Sequence, residues 1–338
     1  MNTILQPYRY SFAGAVCAGA MLLVAGSLPV RGQQIYVGSY NGGYGLVGEY
    51  NAAGTPVNAS LITELTNPQG LAISGNDILV AGGGSGGGNG VIGEYTTSGV
   101  TVNASLITGL SVPLGLAVSG TDLFIANYLT GVIGEYTTSG ATVNASLITG
   151  LGKPWGLAIS GNDLFVADEL SGVIGEYTTS GATVNASLIS GLGTYGQGPS
   201  GLAISGSNLF VCSFDGGVGK GVIGEYTTSG ATVNASLITG VNDPYGLAIS
   251  GTYLFVVNFQ GGTIGEYTTS GAMVNASLVT GLNYPLSIVV VPEPGTLELV
   301  GLGGLMALRR ARPLRPERHY AGAKRPARVS PKSSPNEQ

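Results

Sequence analysis

Histidine and arginine are missing from residues 33 to 291, and the chain's one histidine, His319, stands close to the C-terminus. Ser-His-Asp and Cys-His nucleophilic arrangements and imidazole-based metal sites are thereby excluded from that long middle stretch. Cysteine is almost as scarce. Cys17 falls in an N-terminal apolar run, which leaves Cys212 alone and rules out a disulfide framework. It sits in Leu209-Phe-Val-Cys-Ser213, where sister segments carry Ala or Val, so it reads as a small buried hydrophobe. Charged residues make up only 9% of the chain against 43% hydrophobic, which excludes a disordered polymer. The 59 glycines show no Gly-X-Y period, so collagen is excluded too, and no heptad or apolar helical stripe runs between the two ends. What remains is a β-rich globular body.

Charge is unevenly placed. Residues 33 to 291 hold fourteen Asp or Glu against Lys153 and Lys220, a balance of −12, whereas residues 309 to 338 carry nine Lys or Arg against Glu317 and Glu337, a balance of +7. An acidic body repels phosphate backbones, so no nucleic-acid partner is expected.

The middle stretch is repetitive. Six copies of one unit place the glutamate of an Ile/Val-Gly-Glu-Tyr phrase at Glu49, Glu94, Glu135, Glu176, Glu225 and Glu266, spaced 45, 41, 41, 49 and 41 residues apart. Such a period, built from short apolar runs and glycine turns, belongs to a propeller blade or a solenoid coil. In residues 154–192, Gly156-Leu-Ala-Ile-Ser160 reads as a strand and Gly161-Asn162 as a tight turn. Leu164-Phe-Val-Ala167 is a strand apolar on both faces, Val173-Ile-Gly-Glu-Tyr177 a third, and Ala182 to Ile189 a fourth beyond the turn Thr178-Thr-Ser-Gly181. Four antiparallel strands per period make a blade. The small Gly-Leu-Ala of the first strand suits convergence on a central axis, and Phe124, Phe165, Phe210 and Phe255 suit the wider space further out.

The strand count also predicts how the ring closes. Residues 35–37 open the repeats with a second-type strand, and Leu286-Ser-Ile-Val-Val290 ends them with a first-type strand. The first blade then takes three strands from the N-terminal side and one from the C-terminal side, giving an all-β, six-bladed propeller with its edges hidden. An open solenoid is the alternative fold. The phrase Pro-x-Gly-Leu-Ala-Ile-Ser-Gly-x-Asp-Leu-Phe-Val-Ala-Asn/Asp resembles the NHL repeat and its relatives among gluconolactonase-like propellers, over nearly all of residues 35–290.

The two ends read as an address. Residues 1–32 have Arg9 in a short polar lead and an apolar run from Phe12 to Val30, and resemble a secretory signal peptide. A buried first helix is the competing reading. At the other end, Pro292-Glu293-Pro294 precedes an apolar stretch to Leu308 and then Arg309, Arg310 and Arg312. The prolines keep the approach extended, the apolar residues suit a bilayer, and the arginines suit its cytoplasmic side. This order of parts resembles the PEP-CTERM sorting signal of exported bacterial proteins, which implies an exosortase-type processing enzyme as partner and transient anchorage in the bacterial membrane. The stretch is shorter than a full span of about 20 residues, Glu298 interrupts it, and the basic tail of residues 313–338 extends past the usual end. The expected organisation is a signal peptide (1–32), a propeller (33–291), a sorting signal with an apolar helix (292–312) and a disordered tail (313–338).

Differences between repeats mark where a ligand could be fitted. The shared Asn-Ala-Ser at Asn58, Asn103, Asn144, Asn185, Asn234 and Asn275 is formally a glycosylation acceptor, but six copies at one blade position read as a strand or turn feature. The six glutamates read as solvated or Thr-bonded carboxylates, an anionic ring being the alternative. Two variable series approach one face of a propeller: Gln69, Leu114, Trp155, Ser200, Tyr245 and Leu286 before the first strand, and the residues after the second strand. They nominate Asn127, Tyr128, Trp155, Asp168, Glu169, Tyr245, Asn258 and Phe259 as a channel-mouth rim suited to a polysaccharide or a peptide, with ordinary loop variation as the competing reading. Gluconolactonase-like relatives hold a divalent cation near the channel, and the nearest matches here, Asn127, Asp168 and Asn258, would offer oxygens to Ca²⁺. The other blades carry Ser39, Gly82 and Ser213 there and no inner-strand carboxylate is evident, so the expectation is no metal, no cofactor and no catalysis. A non-enzymatic exported binding or scaffold module follows, with a metal-dependent lactonase-like or lyase-like enzyme, or a ligand-free spacer, as alternatives.

Overall fold

Six repeats of four apolar runs fold as six four-stranded antiparallel sheets, and the inner strands of successive sheets touch one another around a closed ring. The protein is a six-bladed β-propeller. The computed structural model describes residues 33–41, 44–83, 89–193, 198–214 and 221–292. The expected signal peptide, the apolar helices expected at both ends, Glu293 to Arg312 and the basic tail lie outside them; among the described residues there is no helix.

Blade 4 serves as the type. Its inner strand Pro154–Ser160 pairs with Asp163–Asp168, which pairs with Val173–Thr178, which pairs with the outer strand Thr183–Ile189. Blades 2, 3, 5 and 6 repeat that order. Blade 1 is built from Gln33–Asn41, Tyr44–Asn51 and Pro56–Leu65 with the last strand of the chain, Pro285–Pro292, on its inner side. Gln33 pairs with Pro292, so the two ends of the ring meet in one ladder, as the strand count predicts.

Inner-strand glycines set how tightly the blades converge. A Cβ on Gly115, Gly156 or Gly201 would run into the backbone carbonyl of Trp155, Ser200 or Tyr245 in the next blade. Further out the gap widens and Phe124, Phe165, Phe210 and Phe255 fill it, each at most 1% exposed. Burying such a side chain contributes about 1.5–3 kcal/mol relative to leaving it in water.

The core is thus six layers between blades rather than one central mass. Phe124, Ala126 and Ile133 of blade 3, for example, pack against Leu157, Leu164 and Tyr177 of blade 4, and the layer between blades 6 and 1 joins Phe255 and Val257 to Ile35 and Tyr50. A second strand in contact with layers on both sides must be apolar at every position, which explains the unbroken run Leu164-Phe-Val-Ala167. Cys212 belongs to the layer between blades 5 and 6 and is fully buried.

The constant polar residues are blade construction. All six Asn-Ala-Ser asparagines use Oδ1 to accept the backbone N–H of the serine two residues on, at 3.0 to 3.1 Å. This local turn accompanies a bulge: between the pairs Ile174–Ile189 and Glu176–Asn185 the outer strand has two residues more than its partner. The turn before the outer strand is fixed by Thr178, whose Oγ1 accepts the N–H of Ala182 at 3.0 Å, and by Gly181 at φ +88°.

Candidate functional site

The inner strand and the second strand of a blade are antiparallel, so the start of the first and the end of the second lie at the same face. Both variable series therefore gather at one mouth of the ring. Trp155 enters on the second residue of blade 4's inner strand and Tyr245 on the second of blade 6's. Tyr128, Phe214 and Phe259 follow the second strands of blades 3, 5 and 6.

The rings form a continuous strip. Tyr128 meets Trp155 edge-on at 5.7 Å between centroids, and Trp155 meets Tyr245 at 5.1 Å. Tyr245 is stacked on Phe214 at 5.6 Å and tilted against Phe259 at 4.5 Å, and Phe259 reaches Tyr284 at 5.2 Å. Aromatic pairs in these geometries contribute about 0.5–1.5 kcal/mol beyond area burial. Burial, with Asp243 and Glu169 nearby, pushes the Tyr245 hydroxyl up to about 12, so it stays protonated and able to donate.

The predicted rim divides in two. Tyr128, Trp155, Tyr245 and Phe259 share the strip, whereas Asn127, Asp168 and Asn258 are buried behind it as loop braces. Asp168 accepts the backbone N–H groups of Gly152 (2.7 Å, Oδ2) and Lys153 (2.8 Å, Oδ1), while Asn127 Oδ1 accepts that of Ser111 at 3.0 Å. Asn258 donates from Nδ2 to Thr263 Oγ1 at 3.1 Å, and its Oδ1 is buried without a partner. Glu169, 3% exposed, accepts the Tyr128 hydroxyl at 2.7 Å, and Lys153 Nζ lies 4.4 Å from the centre of the Tyr128 ring. Lys153 is the one cation among the described residues.

These braces fit Ca²⁺ poorly. The oxygens of Asn127 and Asp168 are directed at N–H groups of their own blades, not at a common point, and blade 5 intervenes between Asp168 and Asn258 with Ser213. Among the described residues no three of His, Cys, Asp or Glu come together. Burial pushes the Cys212 thiol far up, which removes it as a nucleophile.

Sequence comparison left out part of the mouth. A cavity of about 420 Å³ is lined by Trp155, Tyr245, Phe259 and Tyr284 together with Asn67, Gln69, Tyr40 and Leu286. Asn67 and Tyr284 each stand directly before the proline that leads into an inner strand, two positions upstream of Gln69 and Leu286. That position also varies: Asn67, Val112, Lys153, Gly198, Asp243, Tyr284. Below the mouth the channel narrows to a space of about 90 Å³ lined by the inner-strand Gly-Leu pairs.

No family model and no curated protein matches the chain. Solved structures do. A chain of a nidogen/laminin complex is 15% identical, with 77% of this chain and 98% of that chain covered at a TM-score of 0.61. A candidate 6-phosphogluconolactonase from Bacteroides fragilis is 14% identical, with 77% and 98% covered, at 0.56. A catalytically inactive histidine-to-alanine variant of virginiamycin B lyase from Staphylococcus aureus, solved with quinupristin, is 20% identical, with 74% and 86% covered, at 0.51. At these identities the likeness is one of fold alone, and it spans a complex component and enzymes.

Proposed function

We propose that the chain is an exported bacterial propeller that binds a ligand at its aromatic mouth and performs no catalysis of its own. The observation that carries this reading is the strip from Tyr128 through Trp155 and Tyr245 to Tyr284, which places half-buried rings and the exposed Tyr284 at the open end of the channel. Aromatic side chains near water are costly unless they meet a partner, and a concave mouth is where ligands are held. The enzyme reading has less support. The lyase neighbour is inactivated by loss of a histidine, and this chain's histidine is His319, beyond the propeller. The carboxylate and amide that would serve a lactonase metal are engaged as loop braces.

The address rests on the ends. A signal-peptide-like start and a PEP-CTERM-like run from Pro292 to Arg312 support export, membrane anchorage before cleavage by an exosortase-type enzyme, and residence at the cell surface or in extracellular polymer. The NHL-like repeat fits such a scaffold role. Fractionation of the producing bacterium with mass measurement of the mature chain tests this: ends near Gln33 and Pro294 are expected. An intact cytoplasmic chain ending at Gln338 would overturn export. Retention of the protein on extracellular polymer, lost in Trp155→Ala, tests binding, and unchanged retention would favour a spacer.

A further inference from the structure

Polysaccharide and protein are both open to a generic aromatic mouth, but the composition of this one discriminates. Its 420 Å³ cavity falls within the range of about 300–1,000 Å³ usual for small-ligand sites. The lining combines the rings of Trp155, Tyr245, Phe259 and Tyr284 with the side-chain amides of Asn67 and Gln69, and includes no group charged at neutral pH. We infer that the mouth recognises an uncharged pyranose chain, its rings taking the apolar C–H faces of the sugar and Asn67 and Gln69 its hydroxyl edges. This inference rests on the mouth being a binding site.

Three features support sugar over other ligands. An amide side chain offers two donors and an acceptor side by side, which complements a pair of neighbouring hydroxyls, whereas against a carboxylate or phosphate its N–H groups are satisfied but its carbonyl oxygen is not. Negative ligands meet an unfavourable field, because Asp243 and Glu169 lie close enough to Tyr245 to act on its hydroxyl, and the Lys153 ammonium is drawn over the Tyr128 ring. A cation such as a quaternary ammonium needs rings that face a common point. Here the rings follow one another along the mouth at 4.5 to 5.7 Å, with Tyr128–Trp155 and Trp155–Tyr245 edge-on at 85° and 69°, so no cage closes around one point and the successive units of an extended ligand can meet the rings in turn.

The residue before the proline is left-handed in four blades, at Asn67 (φ +50°), Val112 (φ +53°), Asp243 (φ +47°) and Tyr284 (φ +40°), so one repeated loop conformation sets the entry of each chain segment, and in two of the blades the residue it carries lines the cavity. Tyr284 is 55% exposed, so its ring is presented rather than buried.

Trp155 is the chain's only tryptophan, so its emission reports on the mouth alone. The full protein is titrated with neutral gluco-, manno- and galacto-oligosaccharides, with an oligogalacturonate of equal length, with choline and with an unstructured basic peptide. At least one neutral series should shift the emission saturably, and the oligogalacturonate should bind at least tenfold more weakly. Gln69→Ala and Tyr284→Ala, at partly exposed positions, should each weaken the neutral sugar about five- to tenfold, while Ser180→Ala, in an exposed turn away from the mouth, should change it less than threefold. A response to choline, the uronate or the peptide with every neutral sugar silent would overturn the sugar assignment and leave the mouth as a binding site. Silence of all probes would overturn both.

Discussion

Asp168 shows how one side chain reconciles variation with construction. Its two oxygens hold the N–H groups of Gly152 and Lys153, and so fix the loop that delivers Trp155 to the mouth. Asp168→Ala leaves those two N–H groups without their acceptor at a position 6% exposed, and a loss of about 2–4 kcal/mol in urea denaturation is expected. A loss under 0.5 kcal/mol would contradict the brace. On the opposite face, Glu94, Glu135 and Glu176 have carboxyls raised above the ordinary 4.5, first by burial and then by Asp77, Asp122 and Asp163. Between the ordinary and the raised value the folded chain binds more protons than the unfolded one, so these groups are free of penalty below that window and subtract stability as pH rises through it. The triple variant Glu94→Gln, Glu135→Gln, Glu176→Gln should therefore gain urea midpoint over the parent on going from pH 4 to pH 7. A gap that shrinks with rising pH would refute this. The rim was only half legible in sequence because adjacent residues at a strand end point in opposite directions. Asn127 and Tyr128 are neighbours in the chain, yet one braces a loop and the other joins the strip.

A strand's position in the blade decides what its sequence tolerates. The inner strand can approach its neighbour only because Gly156 offers no Cβ to the carbonyl of Ser200, whereas Gly161 in the next turn sits at φ +61° in open space. Gly156→Ala should cost about 1–3 kcal/mol through displaced strands, and Gly161→Ala about 1 kcal/mol through backbone strain alone. Equal effects in guanidinium melts would count against convergence as the cause. Elements were legible because each is written several times: one Gly-Leu-Ala is ambiguous, but five of them with a phenylalanine downstream in four repeats fix a taper. Blade 1 breaks the pattern instructively. Its inner strand has Ser287 where the others have glycine, with Oγ buried and unpartnered, and its outer turn uses Asn51 Oδ1 for the N–H groups of Ala53 and Thr55 in place of the threonine. Being assembled from two ends, it lies outside the contiguous repeat.

Closure is the property of the whole ring. Each layer of core needs two blades, so the strand Pro285–Pro292 completes both its own sheet and the layers on either side of it. A chain ending at Tyr284 would leave the edge of Gln33–Asn41 unpaired, and it should lose its single cooperative transition in circular dichroism and self-associate in light scattering. A one-step melt at the parent's midpoint would show that closure is dispensable. The same strand sets a direction. It begins at the mouth, where Ser39 pairs with Pro285, and runs down the channel to end where Pro292 pairs with Gln33. Both ends of the propeller therefore leave from the face opposite the aromatic strip. A fusion partner joined before Gln33 or after Pro292 would therefore start at the face away from the strip, leaving the mouth clear at its point of attachment.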